Sequence, residues 1–268
     1  MGELVFIGLG LFDEKDMSLR AYEEAKEADY VYAEFYTSLM AGFSLENLER
    51  KLGKRVTVVP RRILEDENGE AILLKAEHAK VAFLVPGDPL IATTHIDLRI
   101  RAEKRGIETR VVHGASIISA AMGLSGLQNY KFGRSVTIPF SELGQVSETP
   151  YNVIGENKKR GLHTLCFLDI KTDKRMYLTI NEALEMLLFM EEKRKQNVFT
   201  LKSLVVGIAR AGGKNPTVKA DKANSLLSFD FGSPPHVLIV PSDKLHFMEA
   251  EALISLAGAP EWVKGMAR

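Results

Sequence analysis

The run from Val81 to Val85, ended by Pro86-Gly87-Asp88-Pro89, restricts the possible folds more than any other stretch of the chain. Five successive apolar residues suit a parallel strand covered on both faces. Two prolines around Gly-Asp forbid both helix and strand, so the strand must stop there in a loop. In open α/β sheets such loops line the crevice outside the carboxyl ends of the strands, where small molecules bind. Asp88, between two prolines, has a restricted backbone. Its carboxylate reads either as a ligand contact aimed with little freedom or as part of a rigid turn that bonds its own backbone. Thr93 and Thr94, just before a helical pattern, read first as a capping pair and second as substrate contacts.

The rest of the chain repeats this unit. Leu4 to Leu9 is an apolar strand leading through Gly8-Leu9-Gly10-Leu11 and an acidic loop, Asp13-Glu14-Lys15-Asp16. A helix from about Ser18 to Ala28 follows, with Leu19, Tyr22 and Ala25 on one face and Asp16 or Ser18 as its cap. Tyr30 to Phe35 and Val56 to Val59 read as further strands, separated by a short helix that Ser44 begins and Gly53 stops. Helices over Ala71 to Ala79, Thr94 to Lys104 and Ala115 to Leu124 flank the central strand and a fifth strand, Thr109 to Val112. Beyond Lys131-Phe132-Gly133 come strands at Val136 to Phe140, Leu165 to Ile170, Leu204 to Ile208 and His236 to Val240. The helices there span Tyr151 to Arg160, Asn181 to Glu192 and Phe247 to Ala257. Strands alternating with helices imply parallel pairing through crossovers. The expected fold is α/β, with mostly parallel or mixed sheets in two α/β domains, 1–132 and 133–268.

Charge narrows the partners. The 268 residues hold 35 basic and 35 acidic side chains and are 46% hydrophobic. A formal net charge of zero argues against bulk binding to nucleic acid or an anionic membrane. No apolar run approaches the ~20 residues of a spanning helix. No basic region precedes LVFIGLGL, so neither a signal peptide nor a spanning helix is expected. Cys166 is the single cysteine, which excludes an internal disulfide and a CxxC metal site and suits a reducing cytoplasm.

The Gly8-x-Gly10 turn invites a dinucleotide-binding reading, with Glu34, 24 residues beyond Gly10, near the place of a ribose-binding carboxylate. Its third glycine position is Asp13, however, and Glu14 and Asp16 follow. A pyrophosphate there would face several carboxylates, each like-charge pair at about 4 Å costing roughly 1–4 kcal/mol. An acidic turn that merely caps a helix explains the same residues. No GxSxG or HExxH motif is present, no metal site is expected, and the six histidines are scattered singly. Most of them read as packing or surface residues; His236, after Pro234-Pro235, could lie at a domain edge.

Several strings together carry a resemblance: the strand with GLGL, Ala33-Glu34-Phe35-Tyr36-Thr37-Ser38, Pro86-Gly87-Asp88-Pro89 with Ala92-Thr93-Thr94-His95, Tyr130-Lys131-Phe132-Gly133, and Gly161-Leu162-His163-Thr164 through Leu168-Asp169-Ile170-Lys171. They resemble the diphthine synthase family, within the tetrapyrrole-methylase-like class of S-adenosylmethionine methyltransferases. The resemblance spans nearly the whole chain; the portion after about Thr217 matches less distinctively, and Ser141 to Pro150 carries no functional weight. It implies two α/β domains with a cofactor cleft between them, a cytoplasmic homodimer, and S-adenosylmethionine as cofactor, leaving S-adenosylhomocysteine. The implied activity is successive methylation of the amino group of 3-amino-3-carboxypropyl-histidine on translation elongation factor 2, toward diphthamide. Carried over residue by residue, the implied cofactor contacts are Leu11, Asp88, Ile91, Ser116, Ile117, Leu168, Ala211 and His236.

Residue chemistry is compatible with this. A sulfonium is a cation without phosphate, so Asp13, Glu14 and Asp88 are tolerable beside it. Methyl transfer to an amine uses a donor already activated, so the protein chiefly aligns the reactants and excludes water. The amine must still lose a proton, to solvent or to a nearby carboxylate. Because the substrate carries a carboxylate, Lys171, Lys174, Arg175 and Arg210 are candidates to hold it, with solvated surface charge as the plain alternative. Tyr36 or Phe35 could meet a quaternary ammonium by cation–π contact, core packing being the simpler reading of Phe35. A tetrapyrrole-type small-molecule methyltransferase on the same fold is the alternative function, and an NAD-dependent oxidoreductase a more distant one.

Overall fold

Side chains buried on both faces of a strand dictate a sheet layered on two sides, and the central strands of the first half of the chain have that pattern. The computed structural model describes residues 2–141 and 144–267, so residues 142 and 143 of the Ser141–Pro150 segment lie outside the described residues. The chain divides into two compact units, Met1–Ile117 with Thr172–Lys174, and Ile118–Lys171 with Arg175–Arg268. The sequence drew its line at 132/133; by packing, the helix that starts at Ile117 falls almost wholly in the second unit.

The first unit runs β1 (Glu3–Gly8), α1 (Leu19–Glu27), β2 (Tyr30–Ala33), α2 (Leu45–Leu52), β3 (Thr57–Val58), α3 (Arg61–Glu65), α4 (Glu70–Ala76), β4 (Lys80–Val85), α5 (Ile96–Lys104) and β5 (Glu108–Val112). The strands form one five-stranded sheet in the order β3-β2-β4-β1-β5, parallel at every pairing. On one face Val5, Ile7, Ala82 and Leu84 meet Ala21 and Ala25 of α1 and Leu48 and Leu52 of α2. On the other, Leu4, Phe6, Val81, Phe83 and Val85 meet Ile72 and Leu73 of α4 and Leu98 of α5. Phe6 and Phe83 stand opposite in register and pack edge to face, ring centroids 5.9 Å apart.

Local signals hold where the sequence placed them, with two exceptions. Ser18 Oγ accepts from Ala21 N and Ser44 Oγ from Asn47 N, capping α1 and α2. Leu19, however, is 72% exposed, because the buried stripe of α1 is the alanine pair. The threonine pair does not cap α5: Thr93 Oγ1 donates to Pro89 O at 2.8 Å, so its hydroxyl closes the preceding loop instead.

The second unit holds α6 (Ile117–Ser125), β6 (Val136–Ile138), α7 (Thr149–Lys159), β7 (Thr164–Leu168), β8 (Ile170–Lys171), β9 (Met176–Tyr177), α8 (Ile180–Arg194), β10 (Leu204–Ala209), β11 (Thr217–Lys222), α9 (Ala223–Leu226), β12 (His236–Val240) and α10 (Phe247–Ala257). Its main sheet is mixed, in the order β11-β10-β12-β7-β6, with β6 and β7 parallel and the other pairs antiparallel. Thr217–Lys222 escaped the sequence reading because an edge strand paired on one side needs no apolar run. Tyr151, Ile154, Leu184, Leu187, Phe199 and Phe231 form the core on the face covered by α7 and α8.

A buried charge ties this unit together. Glu249, in the first turn of α10 and wholly buried, accepts from Gln128 N and His246 N and from the Lys131 ammonium. His163 Nδ1 accepts from Ser242 N at 2.9 Å, which fixes the proton on Nε2, 2.9 Å from Glu249 Oε1. Burial alone would raise the Glu249 carboxyl, but the bonds from His163, Lys131 and the backbone reverse this and hold it at about 2. A folded pKa below the unfolded value contributes stability above the usual carboxylate range that is lost as pH falls through it toward 2. Glu249→Gln is therefore expected to unfold at lower urea at pH 7, by on the order of 3 kcal/mol, with the difference from wild type shrinking as pH falls below about 4.5. A difference independent of pH in urea titrations would contradict this account.

Candidate functional site

Because every strand of the first sheet runs the same way, the loops after β1, β2, β4 and β5 all emerge at one edge. β1 lies between β4 and β5, so the loops after these three are neighbours. Their backbones touch where side chains are missing. A Cβ on Gly8 would sit 2.4 Å from Gly114 N and 2.5 Å from Gly87 O; one on Gly114 would sit 2.3 Å from Gly87 O. Gly10 N donates to Gly87 O at 3.2 Å and Gly87 N to Gly10 O at 2.6 Å, so the β1 and β4 loops are clamped together past their strands. Gly87, at φ +71°, supplies a turn that an L side chain would strain.

Three of the carboxylates at this edge have an identifiable task. Asp16 turns back on its own loop, Oδ2 accepting from Leu11 N (3.1 Å) and Phe12 N (2.7 Å). Asp13 Oδ1 accepts from Lys15 N. Glu34, fully buried after β2, accepts from Tyr36 N, Thr37 N and Thr37 Oγ1, and lies 3.2 Å from His95 Nε2. It shapes the Tyr36–Thr37 turn and is closed to a ribose, which removes the carboxylate a dinucleotide needs. Glu14 is different: it is almost fully buried and its Oε2 has no hydrogen-bond partner.

Asp88, 6% exposed, is held at both oxygens. Oδ1 accepts from Leu90 N at 3.1 Å, and Oδ2 lies 2.7 Å from Nδ1 of His113, at the end of β5. The two readings of the Pro-Gly-Asp-Pro loop thus merge: Asp88 bonds its own loop and also reaches a neighbouring strand end. In the sequence His113 reads as a packing or surface residue; its place directly after the apolar run that ends at Val112 marks it as a strand-end residue, though not as the partner of Asp88.

The other expected residues fall at defined places. Leu11 follows β1, Ile91 follows β4 and is 41% exposed, and Ser116 and Ile117 follow β5 at the start of α6. Together with Asp88 these five occupy the carboxyl edge of the first sheet. Tyr36 follows β2 at the same edge. One face of its ring carries the Arg61 guanidinium at 5.1 Å, and burial, then the Glu34 charge, raises its hydroxyl pKa. Phe35 packs on Phe43, centroids 4.6 Å apart, as core.

In the second unit Leu168 ends β7, Ala211 follows β10, and His236 begins β12, which runs antiparallel to both. These three therefore gather at one edge of the second sheet. His236 Nδ1 accepts from Ile180 N (3.3 Å) and Nε2 donates to Gly232 O (3.0 Å); burial lowers its pKa and keeps it neutral. Arg210, beside them, is committed to structure, donating to Phe231 O, Ser233 O and Thr217 Oγ1. Lys171 ends β8 with its ammonium 5.4 Å over the Phe140 ring, and Lys174 and Arg175 are exposed in the turn before β9.

Comparison with known proteins agrees with this architecture. The family profile "Tetrapyrrole (Corrin/Porphyrin) Methylases" matches residues 3–223. A curated diphthine synthase of Methanosarcina acetivorans is 53% identical over 262 residues, covering 96% of this chain and 97% of that relative. That of Methanosarcina mazei is 54% identical over 263 residues, again covering 96% and 97%. The chain belongs to the diphthine synthase family of tetrapyrrole methylases. A crystal structure of a diphthine synthase superposes with a TM-score of 0.90 at 42% identity, covering 98% of this chain and 99% of that one.

For this family the donor set is chemically apt. An edge with Asp13, Asp88 and an unpartnered Glu14 oxygen suits a cationic, phosphate-free ligand such as S-adenosylmethionine and opposes a pyrophosphate. The glycine junction carries the site's geometry, so Gly114→Ala is expected to cost about 1–3 kcal/mol by overpacking, read as a lower urea midpoint. An unchanged midpoint would show that the three backbones are not in contact.

Proposed function

We propose that this chain is an S-adenosylmethionine-dependent methyltransferase that methylates, in successive rounds, the amino group of 3-amino-3-carboxypropyl-histidine on translation elongation factor 2, a step in diphthamide synthesis. The observation that carries this is the extent of the likeness: above 50% identity to diphthine synthases over nearly the whole of both chains. That range favours the protein-modifying reading over a tetrapyrrole substrate.

The chemistry follows from the edge already described. S-adenosylmethionine, when bound, supplies an activated methyl group. The residues' part is to bind, orient and exclude water. Leu11, Asp88, Ile91, Ser116, Ile117, Leu168, Ala211 and His236 are proposed as its contacts. Asp88, pinned between Leu90 N and His113, is a pre-organised acceptor, and neutral His236 with both ring nitrogens engaged acts as a fixed wall. Lys171, Lys174 and Arg175 are proposed for the substrate carboxylate, and Arg210 is proposed to brace the loop beside them through Phe231 O, Ser233 O and Thr217. The enzyme is proposed to work as a cytoplasmic homodimer. Among the described residues no helix is long and apolar enough to cross a membrane.

Mass spectrometry of elongation factor 2 carrying the precursor side chain, incubated with this protein and S-adenosylmethionine, is expected to show methyl increments on that histidine. Calorimetry is expected to show binding of S-adenosylmethionine and none of NAD. No increments on the precursor, or no affinity for S-adenosylmethionine, would reject the proposal.

A further inference from the structure

The proposed reaction needs an acceptor for the amine's proton, and the most suitable group lies beside Asp88. His113 Nδ1 is 2.7 Å from Asp88 Oδ2, while the imidazole as a whole is 74% exposed. An ionised carboxylate can only accept, so Nδ1 carries the proton and Nε2 keeps its lone pair. The pair thus presents an oriented basic nitrogen to the outside of the carboxyl edge, backed by a nearly buried carboxylate that stabilises the imidazolium once it forms. The other carboxylates nearby are placed differently. Asp13 accepts from Lys15 N, Asp16 from Leu11 N and Phe12 N, and Glu34 is bonded to its own turn and His95, while Glu14 is shut away from solvent.

Building on the methyltransferase reading, we propose that His113 is the general base of the reaction and Asp88 its positioning residue. Nε2 takes one proton from the substrate ammonium. The freed nitrogen pair forms the new N–C bond to the methyl carbon as the C–S bond breaks onto sulfur, leaving S-adenosylhomocysteine and a methylated ammonium. The exposed imidazolium then passes its proton to water, so the same group serves each later round. A buried base would hold that proton, whereas exposure of His113 suits repeated turnover. The pair also places the base at the end of β5, next to the Gly8–Gly87–Gly114 junction that fixes the β4 loop, so its distance from Asp88 is set by strand packing.

Single-turnover methylation of precursor-bearing elongation factor 2 across pH 6–9 tests this in wild type and His113→Ala. Wild-type rates should rise with pH and then level off once the base is free to accept a proton. The variant should still bind S-adenosylmethionine by calorimetry, react roughly 10²-fold slower near neutrality, and climb only toward the amine's own range. Added imidazole should restore part of its rate, which a purely structural role would not produce. Nitrogen-15 spectra of the free wild-type protein should show His113 protonated at Nδ1 in its neutral form. If wild type transfers methyl groups and His113→Ala matches it at every pH, the base is elsewhere and the methyltransferase reading stands. If wild type transfers none, both fall.

Discussion

Three backbones meet at one point with no side chains between them, and the candidate site depends on that contact. Gly8 at the end of β1 and Gly87 and Gly114 just past β4 and β5 come so close that a Cβ on Gly8 or on Gly114 would overlap the neighbouring backbone. The parallel order β4-β1-β5 brings the strand ends together, and the double Gly10–Gly87 hydrogen bond extends the pairing into the loops. A loop clamped in this way presents Asp88 with little freedom, which lowers the ordering cost of any ligand it binds. The full burial of β1 and β4 on both faces is what makes the clamp rigid.

Electrostatics then selects among ligands. The acidic residues after β1 would repel a pyrophosphate, and the carboxylate best placed for a ribose, Glu34, is enclosed by its own turn and His95. What is left is an edge that tolerates positive charge. Glu34 and Glu249 show one device used in each unit, a fully buried glutamate satisfied by backbone donors and one histidine. Asp88 with His113 has the same chemistry with the histidine turned outward, which changes a structural pair into one able to exchange a proton with its surroundings.

Much of the fold was legible because its signals are local. Apolar runs marked β1, β4, β7, β10 and β12, with Gly or Pro stopping β1, β4 and β12, and Ser18 and Ser44 cap the helices they were expected to cap. The edge strand β11 and the two-residue strands β8 and β9 were not, since their pairing is set by neighbours and not by a run of their own. The loop residues of the site were legible from PGDP and its TTH extension. The histidine pairings were not: His95 and Glu34 are 61 positions apart, His113 and Asp88 are 25, and His163 and Glu249 are 86, distances at which spacing carries no information. Scattered along the sequence, these histidines read as packing or surface residues; the sheets bring each to a carboxylate.

The central claim is that the carboxyl-edge loops of the first sheet hold the cofactor. Hydrogen–deuterium exchange with and without S-adenosylmethionine measures it most directly. The amides of residues 10–12, 87–92 and 114–118 are predicted to exchange more slowly on binding, while those of α2 are unchanged. Binding that leaves these three loops exchanging as before would contradict the claim.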